Sequence, residues 1–404
     1  MSGPLHGVRV LDLSRVLAGP WASQILADFG ADVIKVERPI VGDDTRSWGP
    51  PFLPDQHDEK ARGESAYYLS ANRGKKSITV DFSRPEGQAI LRDLAAQSDI
   101  LLENFKVGAL AKLGLGVEAL QKINPRLVYC SITGFGQTGP YASRAGYDFL
   151  MQGMGGLMSL TGAPDGEPMK VGVAVTDVFT GMYAVSAILA ALFERDRSQL
   201  GQHIDIALFD VQIATLANQI MSFLVSGEQP RRLGNAHPSI VPYQAFKTLD
   251  SHVILAIGND GQFARFCEVA SCGHLASDPR YTANPGRVAN RETLIPELQA
   301  VMLRRPTKAW ISDLEAAGVP CGPINQLSDL EDDAQVIARK MFRTVHHPTG
   351  GDLKLVASPI RFSRSLSENC EAPPLLGADT DTILRERLGA TTEELDTWRR
   401  SGVI

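Results

Sequence analysis

The chain reads VRVLDL at residues 8–13, a run in which four of six residues are aliphatic, as expected for a buried β-strand. Residues 22–29 follow with the apolar spacing of a helix, and Gly30 ends that helix. The next stretch, ADVIKVE at residues 31–37, again has the composition of a strand. A strand, a helix and a second strand in this order predict a parallel βαβ unit.

The same alternation continues through the first third of the chain. Further strands are predicted at residues 78–81, 99–103 and 127–132, and helices at residues 85–96 and 117–123. Strands separated by helical segments of this length favour a parallel sheet covered by helices on both faces. We therefore predict an α/β protein with a Rossmann-like large domain.

The overall composition excludes several classes of protein. Of the 404 residues, 44% are hydrophobic and 21% are charged, which is typical of a globular protein. Forty Lys and Arg against 46 Asp and Glu give a net charge of −6, which argues against nucleic-acid or membrane-surface partners. The longest strongly apolar run, residues 185–193, is far shorter than the roughly 20 residues of a membrane span.

The cysteines and the N-terminus bear on the cellular setting. The chain has five cysteines, an odd number with no CxxC pair, which predicts neither a disulfide framework nor a zinc site. Residues 1–18 lack the charged and apolar regions of a signal peptide. We therefore expect a reducing, cytoplasmic location.

A glycine-rich motif follows the strand predicted at residues 127–132. Residues 134–139, GFGQTG, match the dinucleotide-binding pattern, but Pro140 comes next and residues 141–147 show no helical period. Since the nicotinamide fingerprint requires a helix at that point, we interpret the motif as a turn near a ligand. GxSxG, HExxH and P-loop motifs are missing from the sequence, and no metal site is predicted.

Asp177 lies where a strand-like apolar run gives way to a long apolar helix that is predicted to end near Arg195. A carboxylate at a helix N-terminus is stabilised as the anion by the helix dipole and the free N–H groups. The residue is therefore either a helix cap or an ionised nucleophile, with Gly172, Ala174 and Gly181 leaving room for a reacting carbonyl. The local pattern does not decide between these two interpretations.

Cationic residues cluster after the predicted strands of the N-terminal part. This is the edge at which open α/β sheets bind ligands, and Lys and Arg there suit a phosphate-bearing ligand. The alternative is that they are solvated loop charges. The positions are Arg15, Arg38, residues 72–76 (NRGKK), Lys106 and Lys112.

Several motifs carry a resemblance that covers nearly the whole chain. They are LDLSRVLAGP at 11–20, ADVIKVERP at 31–39, NRGKKS at 72–77, ENF at 103–105, TGFGQTGPY at 133–141 and RAGYD at 144–148. With these motifs the chain resembles the class III coenzyme A transferases, the family that includes formyl-CoA transferase and α-methylacyl-CoA racemase.

The resemblance implies roles for particular residues. It implies that Asp177 is the catalytic nucleophile, which favours the second interpretation above. Coenzyme A contacts are implied at Arg15, Val16, Arg38, Asn72, Arg73, Gly74, Lys75, Asn104, Phe105, Lys112, Ala145, Gly146, Tyr147 and Asp148.

Two departures from the family pattern narrow the expected activity. Tyr147 stands where the racemases of the family carry a histidine, and a phenol is a poor proton acceptor near neutral pH. Residues 256–262, AIGNDGQ, have only Gly258 and Gly261 where formyl-CoA transferases carry a run of glycines. Both racemisation and formyl transfer are therefore disfavoured.

Two further stretches resemble the succinate–hydroxymethylglutarate (glutarate) CoA-transferase subgroup of the family. They are GDDTRSWGPPF at residues 42–52 and AHPSIVPYQAF at residues 236–246. Arg46 and His237 within them are expected to bind the distal carboxylate of a dicarboxylate substrate. The remaining expected substrate contacts are Gly136, Gln137, Asn235, Gly258 and Gly261.

The resemblance also implies a reaction and an assembly. Coenzyme A would pass from succinyl-CoA to a glutarate-like or hydroxymethylglutarate-like acid through aspartyl anhydride and aspartyl-CoA thioester intermediates, without a permanently bound cofactor. Oxyanions would be stabilised by backbone amides of residues 134–139 or 258–261. Two chains would interlock as a homodimer. The alternatives are an acyl-CoA racemase or epimerase and a non-catalytic CoA-binding relative.

We divide the chain into three expected segments. Residues 1–225 form the N-terminal part of the large Rossmann-like domain, which binds CoA. Residues 226–325 form a smaller α+β domain, with a border near the Pro-, His- and Gly-rich residues 231–242. Residues 326–404 return to the large domain.

Overall fold

A computed structural model describes residues 2–58, 62–365 and 371–404, so that Cys370 lies outside the described residues. The strands within these ranges are β1 Arg9–Asp12, β2 Asp32–Glu37, β3 Lys76–Thr79, β4 Ile100–Glu103, β5 Val128–Thr133, β6 His203–Ala207, β7 Tyr243–Lys247, β8 His252–Ala256, β9 Cys321–Pro323, β10 Phe342–His347 and β11 Gly351–Val356.

The helices follow the same chain order. They are α1 Ala18–Asp28, α2 Ala66–Ser70, α3 Pro85–Ala96, α4 Val117–Ile123, α5 Asp148–Met154, α6 Leu157–Leu160, α7 Val175–Ser198, α8 Leu208–Ala214, α9 Ala217–Ser226, α10 Asp260–Val269, α11 Gly273–Ser277, α12 Asn284–Ala289, α13 Arg291–Met302, α14 Thr307–Ala316, α15 Ala334–Ala338, α16 Thr380–Leu388 and α17 Thr392–Ser401. Short 3-10 helices occupy Asp44–Ser47, Ala111–Leu113 and Ser328–Glu331.

Strands β1 to β6 form one parallel sheet, which confirms the predicted α/β class. In the described part of the chain the strand order is β3-β2-β1-β4-β5-β6. Val10 of β1 lies opposite Val33 of β2 on one side and Ile100 of β4 on the other. The order reverses between β1 and β4, and ligands bind in open α/β sheets in the crevice that such a reversal creates.

Both faces of this sheet are covered, because successive residues of each strand point to opposite sides. Val10 packs with α1 and α7 on one face, whereas Leu11 packs with α3, α4, α16 and α17 on the other. A strand that is buried on both faces must be apolar at nearly every position. This requirement explains the continuous aliphatic runs in the sequence.

Strand β6 belongs to this sheet, but the sequence pattern did not predict it. His203–Ala207 pairs in parallel with β5. The amphipathic spacing of residues 205–226 predicts a helix there, but the helix begins only at Leu208. Residues 203–207 do alternate between polar and apolar side chains behind Gly201. That period of two is the signal that identifies an edge strand.

The C-terminal segment packs against β3. The amide of Ser77 donates to Asp379 Oδ2 at 2.9 Å, and the amide of Thr79 donates to Thr380 Oγ1 at 3.0 Å. Ile383 and Leu384 of α16 are buried in the same cluster as Ile78 of β3.

Among the described residues the chain divides into two compact units. Unit 1 comprises residues 1–157, 171–225 and 335–404. Unit 2 comprises residues 158–170 and 226–334, with the antiparallel sheet β7-β8-β9 and helices α10–α14 around its own core. The bounds differ from the expected segments in that residues 158–170 and 326–334 group with unit 2.

Helix α7 is longer than the apolar run at residues 185–193. Within the part of the chain that the structure describes, α7 is long and apolar enough to cross a membrane by length and composition, and the bent pair α8–α9 passes the same test. Half of the apolar stretch of α7 is buried inside the fold. Because core helices share this property, the observation is weak evidence for a membrane span.

Candidate functional site

The candidate site lies at the carboxyl end of the parallel sheet, where the strand order reverses. The loops after β1 and β4 are joined there by Asn104, whose Oδ1 accepts from the Arg15 amide at 2.9 Å. The Asn104 side-chain amide donates in turn to the Arg15 carbonyl at 2.7 Å. These two bonds fix the backbone on both sides of the crevice.

Two neighbouring cavities open at this crevice among the described residues, and both are lined by Arg15 and Phe105. The smaller has a volume of about 210 Å³ and is also lined by Arg38 and Phe82. The larger has a volume of about 500 Å³ and includes Asp177 in its wall. All of the lining residues belong to unit 1.

Asp177 is the third residue of α7 and only 9% exposed, with the exposed part facing the larger cavity. Its carboxylate accepts no hydrogen bond from any described residue. Burial, together with the charge of Asp148, raises the pKa of Asp177 to about 7. Carboxylates without donors in a poorly solvated position are strong nucleophiles when ionised.

The cap of α7 is Asp148 rather than Asp177. Asp148 Oδ1 accepts from the Thr176 amide at 2.8 Å, and its Oδ2 accepts from the Gln152 side chain at 2.7 Å. Thr176 also donates its hydroxyl to Gln212 Oε1 at 2.6 Å. A helix N-terminus favours a nearby carboxylate, and here Asp148 of α5 provides it. This contact corrects the interpretation of Asp177 as the helix cap.

This arrangement also corrects the expected charge state of Asp177. The sequence pattern predicts an aspartate that the helix dipole keeps ionised. In the structure, Asp148 occupies the hydrogen-bonding position at the helix end, and burial with a neighbouring negative charge raises the pKa of Asp177 instead of lowering it.

The first turn of α1 lies beside the first turns of α7. A Cβ on Gly181 would come within 2.7 Å of the Ala18 carbonyl oxygen, so the glycine permits this close approach. Gly181 follows Asp177 by four residues and therefore lies on the same face of α7. Leu17 and Ala18 line the larger cavity, and their amides have no acceptor among the described residues.

Many of the expected CoA contacts do line these cavities. They are Arg15, Val16, Arg38, Asn104, Phe105, Ala145, Gly146 and Tyr147. Arg15 and Arg38 share the carboxylate of Asp44, at 2.8 Å and 3.5 Å. The arginines thus present positive charge at the mouth of the crevice.

Other expected CoA contacts are engaged elsewhere in the fold. The Lys75 side chain is fully buried, and its Nζ donates to Asn72 Oδ1 at 2.8 Å and to the Pro20 carbonyl at 2.9 Å. Arg73 pairs with Asp28. Neither cavity is lined by Asn72, Arg73, Gly74, Lys75, Lys112 or Asp148. The Asn72 and Lys75 side chains are thus paired within the fold, and their expected contacts with CoA remain predictions.

Arg46, an expected substrate contact, is engaged by other side chains of the fold. Its guanidinium makes two 2.7 Å bonds to Glu37, another of 2.7 Å to Glu64 and one of 2.6 Å to the Tyr68 hydroxyl. The Arg46 side chain is only 8% exposed. Two carboxylates of the chain already occupy the Arg46 guanidinium, which favours a structural role over contact with a substrate carboxylate.

Two amides of the glycine-rich turn, which was expected to bind an oxyanion, are paired within the fold. The Gly136 amide donates to Thr133 Oγ1 at 2.9 Å, and the Gln137 amide donates to Asp205 Oδ2 at 2.9 Å. Gly136 has a φ of +87°, which favours glycine. Both residues shape the turn after β5 and lie outside the two cavities.

The remaining expected substrate contacts belong to unit 2. His237 contacts Tyr243 with ring centroids 5.4 Å apart and the ring planes tilted by 59°, and its Nδ1 accepts from the Ser239 amide at 3.1 Å. The Gly258 amide donates to Gln262 Oε1 at 2.7 Å. Asn235 and Gly261 are exposed.

Several cavity-lining residues were not among the expected contacts. They are Leu17, Ala18, Trp48, Thr133 and Arg144. Lys106, one of the clustered cations of the sequence, and Gly134 of the glycine-rich turn line the same cavity. Lys106 and Arg144 make no ion pair with a carboxylate in the described ranges. Arg144 is the first residue of the RAGYD motif at 144–148, and its place in that motif is the signal that identifies it. Groups of three or more potential metal ligands do not occur in the part of the chain that was described.

Comparison with known proteins gives a consistent result. A model of CoA-transferase family III matches residues 5–380. Succinate–glutarate CoA-transferase of Agrobacterium fabrum is 51% identical over 386 residues, which are 95% of each chain. Mouse succinyl-CoA:glutarate CoA-transferase is 45% identical, over 99% of this chain and 90% of its own. The crystal structure of a CaiB/BaiF family protein from Brucella suis superposes with a TM-score of 0.85 at 48% identity, covering 96% of this chain and all of the other.

Proposed function

The chain belongs to CoA-transferase family III and is a CoA-transferase, and on that premise we propose that it moves coenzyme A between dicarboxylates. Succinyl-CoA is the proposed donor and a glutarate-like or hydroxymethylglutarate-like acid the proposed acceptor. The names of the relatives at 51% and 45% identity support this choice of substrates. The observation that carries the mechanism is the unpartnered, nearly buried carboxylate of Asp177 in the wall of the larger cavity.

In the proposed first half of the reaction, an Asp177 oxygen attacks the thioester carbonyl carbon and the carbon–sulfur bond breaks. The products are an aspartyl–acyl anhydride and a CoA thiolate. The thiolate then attacks the Asp177 Cγ, the anhydride carbon–oxygen bond breaks, and succinate leaves as a carboxylate. CoA is now held as a thioester on Asp177, and no proton has been consumed.

The second half reverses these steps with the acceptor. The acceptor carboxylate attacks the aspartyl thioester and releases the CoA thiolate. The thiolate then attacks the acyl carbonyl of the new anhydride, which forms the product thioester and regenerates the Asp177 carboxylate. The low exposure of Asp177 protects both activated intermediates from hydrolysis.

Each attack creates an oxyanion next to the beginning of α1. The unpaired amides of Leu17 and Ala18 are the proposed donors to it, because these residues share the cavity with Asp177. The close contact of Ala18 with Gly181 supports this placement. These amides replace those of residues 134–139 in the proposed mechanism.

Coenzyme A is proposed to bind across both cavities. Arg15 and Arg38 would pair with its phosphate groups, and the edge-to-face pair of Phe82 and Phe105, at 5.7 Å, offers an aromatic surface for the adenine. The larger cavity then receives the pantetheine arm and the acyl group. Lys106 and Arg144 are the proposed partners for the distal carboxylate of the acid.

Two further proposals concern the setting of the enzyme. An interlocked homodimer is supported by exposed apolar side chains on α7 and α9, among them Phe193 at 70% and Leu224 at 65% exposure. A cytoplasmic location is supported by cysteines that are free at the four described positions.

The experiment that tests the proposed function is a transfer assay with succinyl-CoA. Glutarate, hydroxymethylglutarate, itaconate and malate are compared with acetate as a monocarboxylate control. Dicarboxylates are expected to be converted and acetate is not. Conversion of acetate alone, or proton exchange at the α-carbon of an acyl-CoA without transfer, would contradict the proposal and favour a different transferase or an isomerase.

Variants connect the activity to the site. Asp177→Ala is expected to abolish transfer while the fold persists, because the carboxylate that carries the acyl group in the proposed mechanism is removed. Asp196→Ala, an exposed aspartate on the same helix, is the matched control and is expected to retain activity. Full activity of Asp177→Ala would remove Asp177 from the mechanism.

A further inference from the structure

A buried ion pair lies beneath the loop that connects β1 to α1. Lys35 of β2 and Asp43 have fully buried side chains, with 2.8 Å between Nζ and Oδ2. Asp43 also accepts from the amide and the hydroxyl of Thr45, at 3.0 Å and 2.8 Å, and so begins the 3-10 helix Asp44–Ser47. Lys35 and Asp43 are also among the residues that line the smaller cavity, but neither group takes part in the bond-forming steps of the proposed reaction.

The remaining contacts of the pair converge on residues 14–16. Lys35 Nζ donates to the Ser14 carbonyl oxygen at 2.9 Å. The Val16 amide donates to the two carboxylate oxygens of Asp43 at 3.2 Å and 3.3 Å. The ion pair therefore holds the backbone of the loop at two points, one on each side of Arg15.

The backbone at Val16 needs such support. Its φ is +71°, in the left-handed region, where β-branched residues are genuine outliers. A conformation of this kind is strained and persists only when surrounding contacts impose it. Immediately after this residue the chain enters α1, whose first residues line the larger cavity.

We propose that the Lys35–Asp43 ion pair is a positioning device that holds Val16 in its left-handed conformation and thereby keeps the Leu17 and Ala18 amides beside Asp177. The inference rests on the proposed function, because it gives these amides their role. Buried ion pairs are weak evidence for stability, since desolvation offsets their attraction. The hydrogen bonds from Lys35 and Asp43 to the strained backbone give this particular ion pair a role other than stabilising the fold.

The first test measures the loop without substrate. Hydrogen exchange of the peptide around Val16 is followed in the wild type and in Asp43→Ala. Loss of the acceptor is expected to speed exchange of the Val16 amide at least about tenfold, because the bond to Asp43 protects it. Asp28→Asn, which alters the buried carboxylate paired with Arg73, is the control for general destabilisation and is expected to leave this peptide unchanged. Unchanged exchange in Asp43→Ala would overturn the proposal.

The second test is a double-mutant cycle with Val16→Gly, because glycine adopts a positive φ without strain. Asp43→Ala alone is expected to lower kcat about 100-fold, the usual effect of losing one oxyanion donor, with a much smaller change in KM. In the Val16→Gly background the same substitution is expected to cost at least about tenfold less. If Asp43→Ala lowered kcat by the same factor in both backgrounds, the two substitutions would act independently, and the positioning role would be refuted.

The two tests also separate this proposal from the proposed function. If the wild type transferred CoA to none of the acids, the function would fail, while the exchange measurement would still decide whether Asp43 holds the loop. If Asp43→Ala does not fold, Lys35→Met replaces it, since loss of the lysine weakens the same contacts and leaves the Asp43 carboxylate present. Thermal unfolding of each variant establishes which case applies.

Discussion

Asp177 has an environment that favours reactivity over stability. Its carboxylate is nearly buried, lacks hydrogen-bond donors among the described residues and lies close to a second carboxylate. A structural aspartate in such a position would normally acquire a donor or be replaced by a neutral residue. The nearby Asp148, in contrast, accepts two hydrogen bonds and caps α7.

The pH dependence of transfer follows from the pKa of about 7 for Asp177. Because attack requires the carboxylate, kcat/KM is expected to fall tenfold per pH unit below about 7 and to level off above it. In Asp148→Asn the inflection of the pH profile is expected at lower pH. The negative charge of Asp148, one of the two causes of the raised Asp177 pKa, is then removed, whereas burial of Asp177 remains. An inflection that does not move in this variant would show that Asp148 does not act on Asp177.

The same pKa predicts a stability gain in Asp177→Asn. The folded state holds a proton on Asp177 between about pH 4 and 7, whereas the unfolded state, with an ordinary pKa of 3.8, has lost it, so wild-type stability falls as the pH rises through this window. The variant is expected to be more stable at pH 8 by up to about 4 kcal/mol and similar to wild type at pH 4. Denaturant unfolding at the two pH values measures this difference, and an equal effect at both would contradict the explanation.

Arg46 shows what a sequence motif does not reveal about a side chain. Its motif at residues 42–52 was correctly associated with a CoA-transferase, but the pattern gives no information on which groups surround the guanidinium. The partners Glu37, Glu64 and Tyr68 come from other elements and are brought together only by the fold. Contacts of this kind depend on tertiary structure.

Arg46→Met is accordingly expected to destabilise the protein rather than to weaken acceptor binding. Removal of the guanidinium leaves Glu37 buried without its partner, which typically costs about 3–5 kcal/mol. Arg38→Met is the matched control, because its guanidinium is 54% exposed and its ion pair contributes about 1 kcal/mol or less. Denaturant unfolding compares the two. A selective rise in acceptor KM for Arg46→Met at unchanged stability would restore the original expectation.

At the scale of elements, local pattern was most informative where one face of a helix is buried. The predicted bounds of α3 and α4 agree with the structure, because Pro85 and the spacing of the apolar residues mark them. Strand β6 was missed because its five residues lie directly before α8. The helix predicted for that region included most of the strand's alternating polar and apolar residues. The cap of α7 could not be predicted, since Asp148 precedes the helix by 27 residues.

The contact between α1 and α7 makes a prediction for Gly181. A Cβ there meets the Ala18 carbonyl at 2.7 Å and Trp21 at 3.1 Å, so Gly181→Ala must push the helices apart. We expect a loss of about 1–3 kcal/mol in the free energy of unfolding and a lower kcat, since the amides at the beginning of α1 move away from Asp177.

Gly172→Ala is the control for this prediction, because a Cβ at Gly172 meets nothing within 4 Å. Chemical denaturation and steady-state kinetics of both variants give the comparison. If Gly181→Ala retained the kcat of Gly172→Ala, the alignment of α1 with Asp177 would not matter for the reaction.

At the scale of the molecule, the sheet order explains why distant motifs form one site. Residues 15–18, 104–107, 142–147 and 177 come from four separate stretches, and the reversal between β1 and β4 brings the first two together. The parallel sheet was predictable from the alternation of strands and helices. The strand order was not, since periodicity does not encode which strands are neighbours.

The proposed assembly makes its own prediction. Exposed apolar side chains on α7 and α9 are expected to be covered by a second copy of the chain, because large apolar surfaces are costly in water. The native mass measured by light scattering is expected to be that of a dimer over a wide range of concentrations. Phe193→Asp, which places a charge in this apolar surface, is expected to lower the dimer fraction. A monomeric wild type would contradict the proposal.

The measurement that tests the central claim most directly is chemical trapping of the CoA carrier. Enzyme turned over with succinyl-CoA is quenched with hydroxylamine, which converts an aspartyl thioester or anhydride into a hydroxamate. The tryptic peptide 171–195 contains only Asp177 and Glu194 as acidic residues, so fragment masses identify the labelled one. The account predicts a hydroxamate on Asp177 that depends on succinyl-CoA; an active enzyme with no label there, or with the label on another residue, would contradict it.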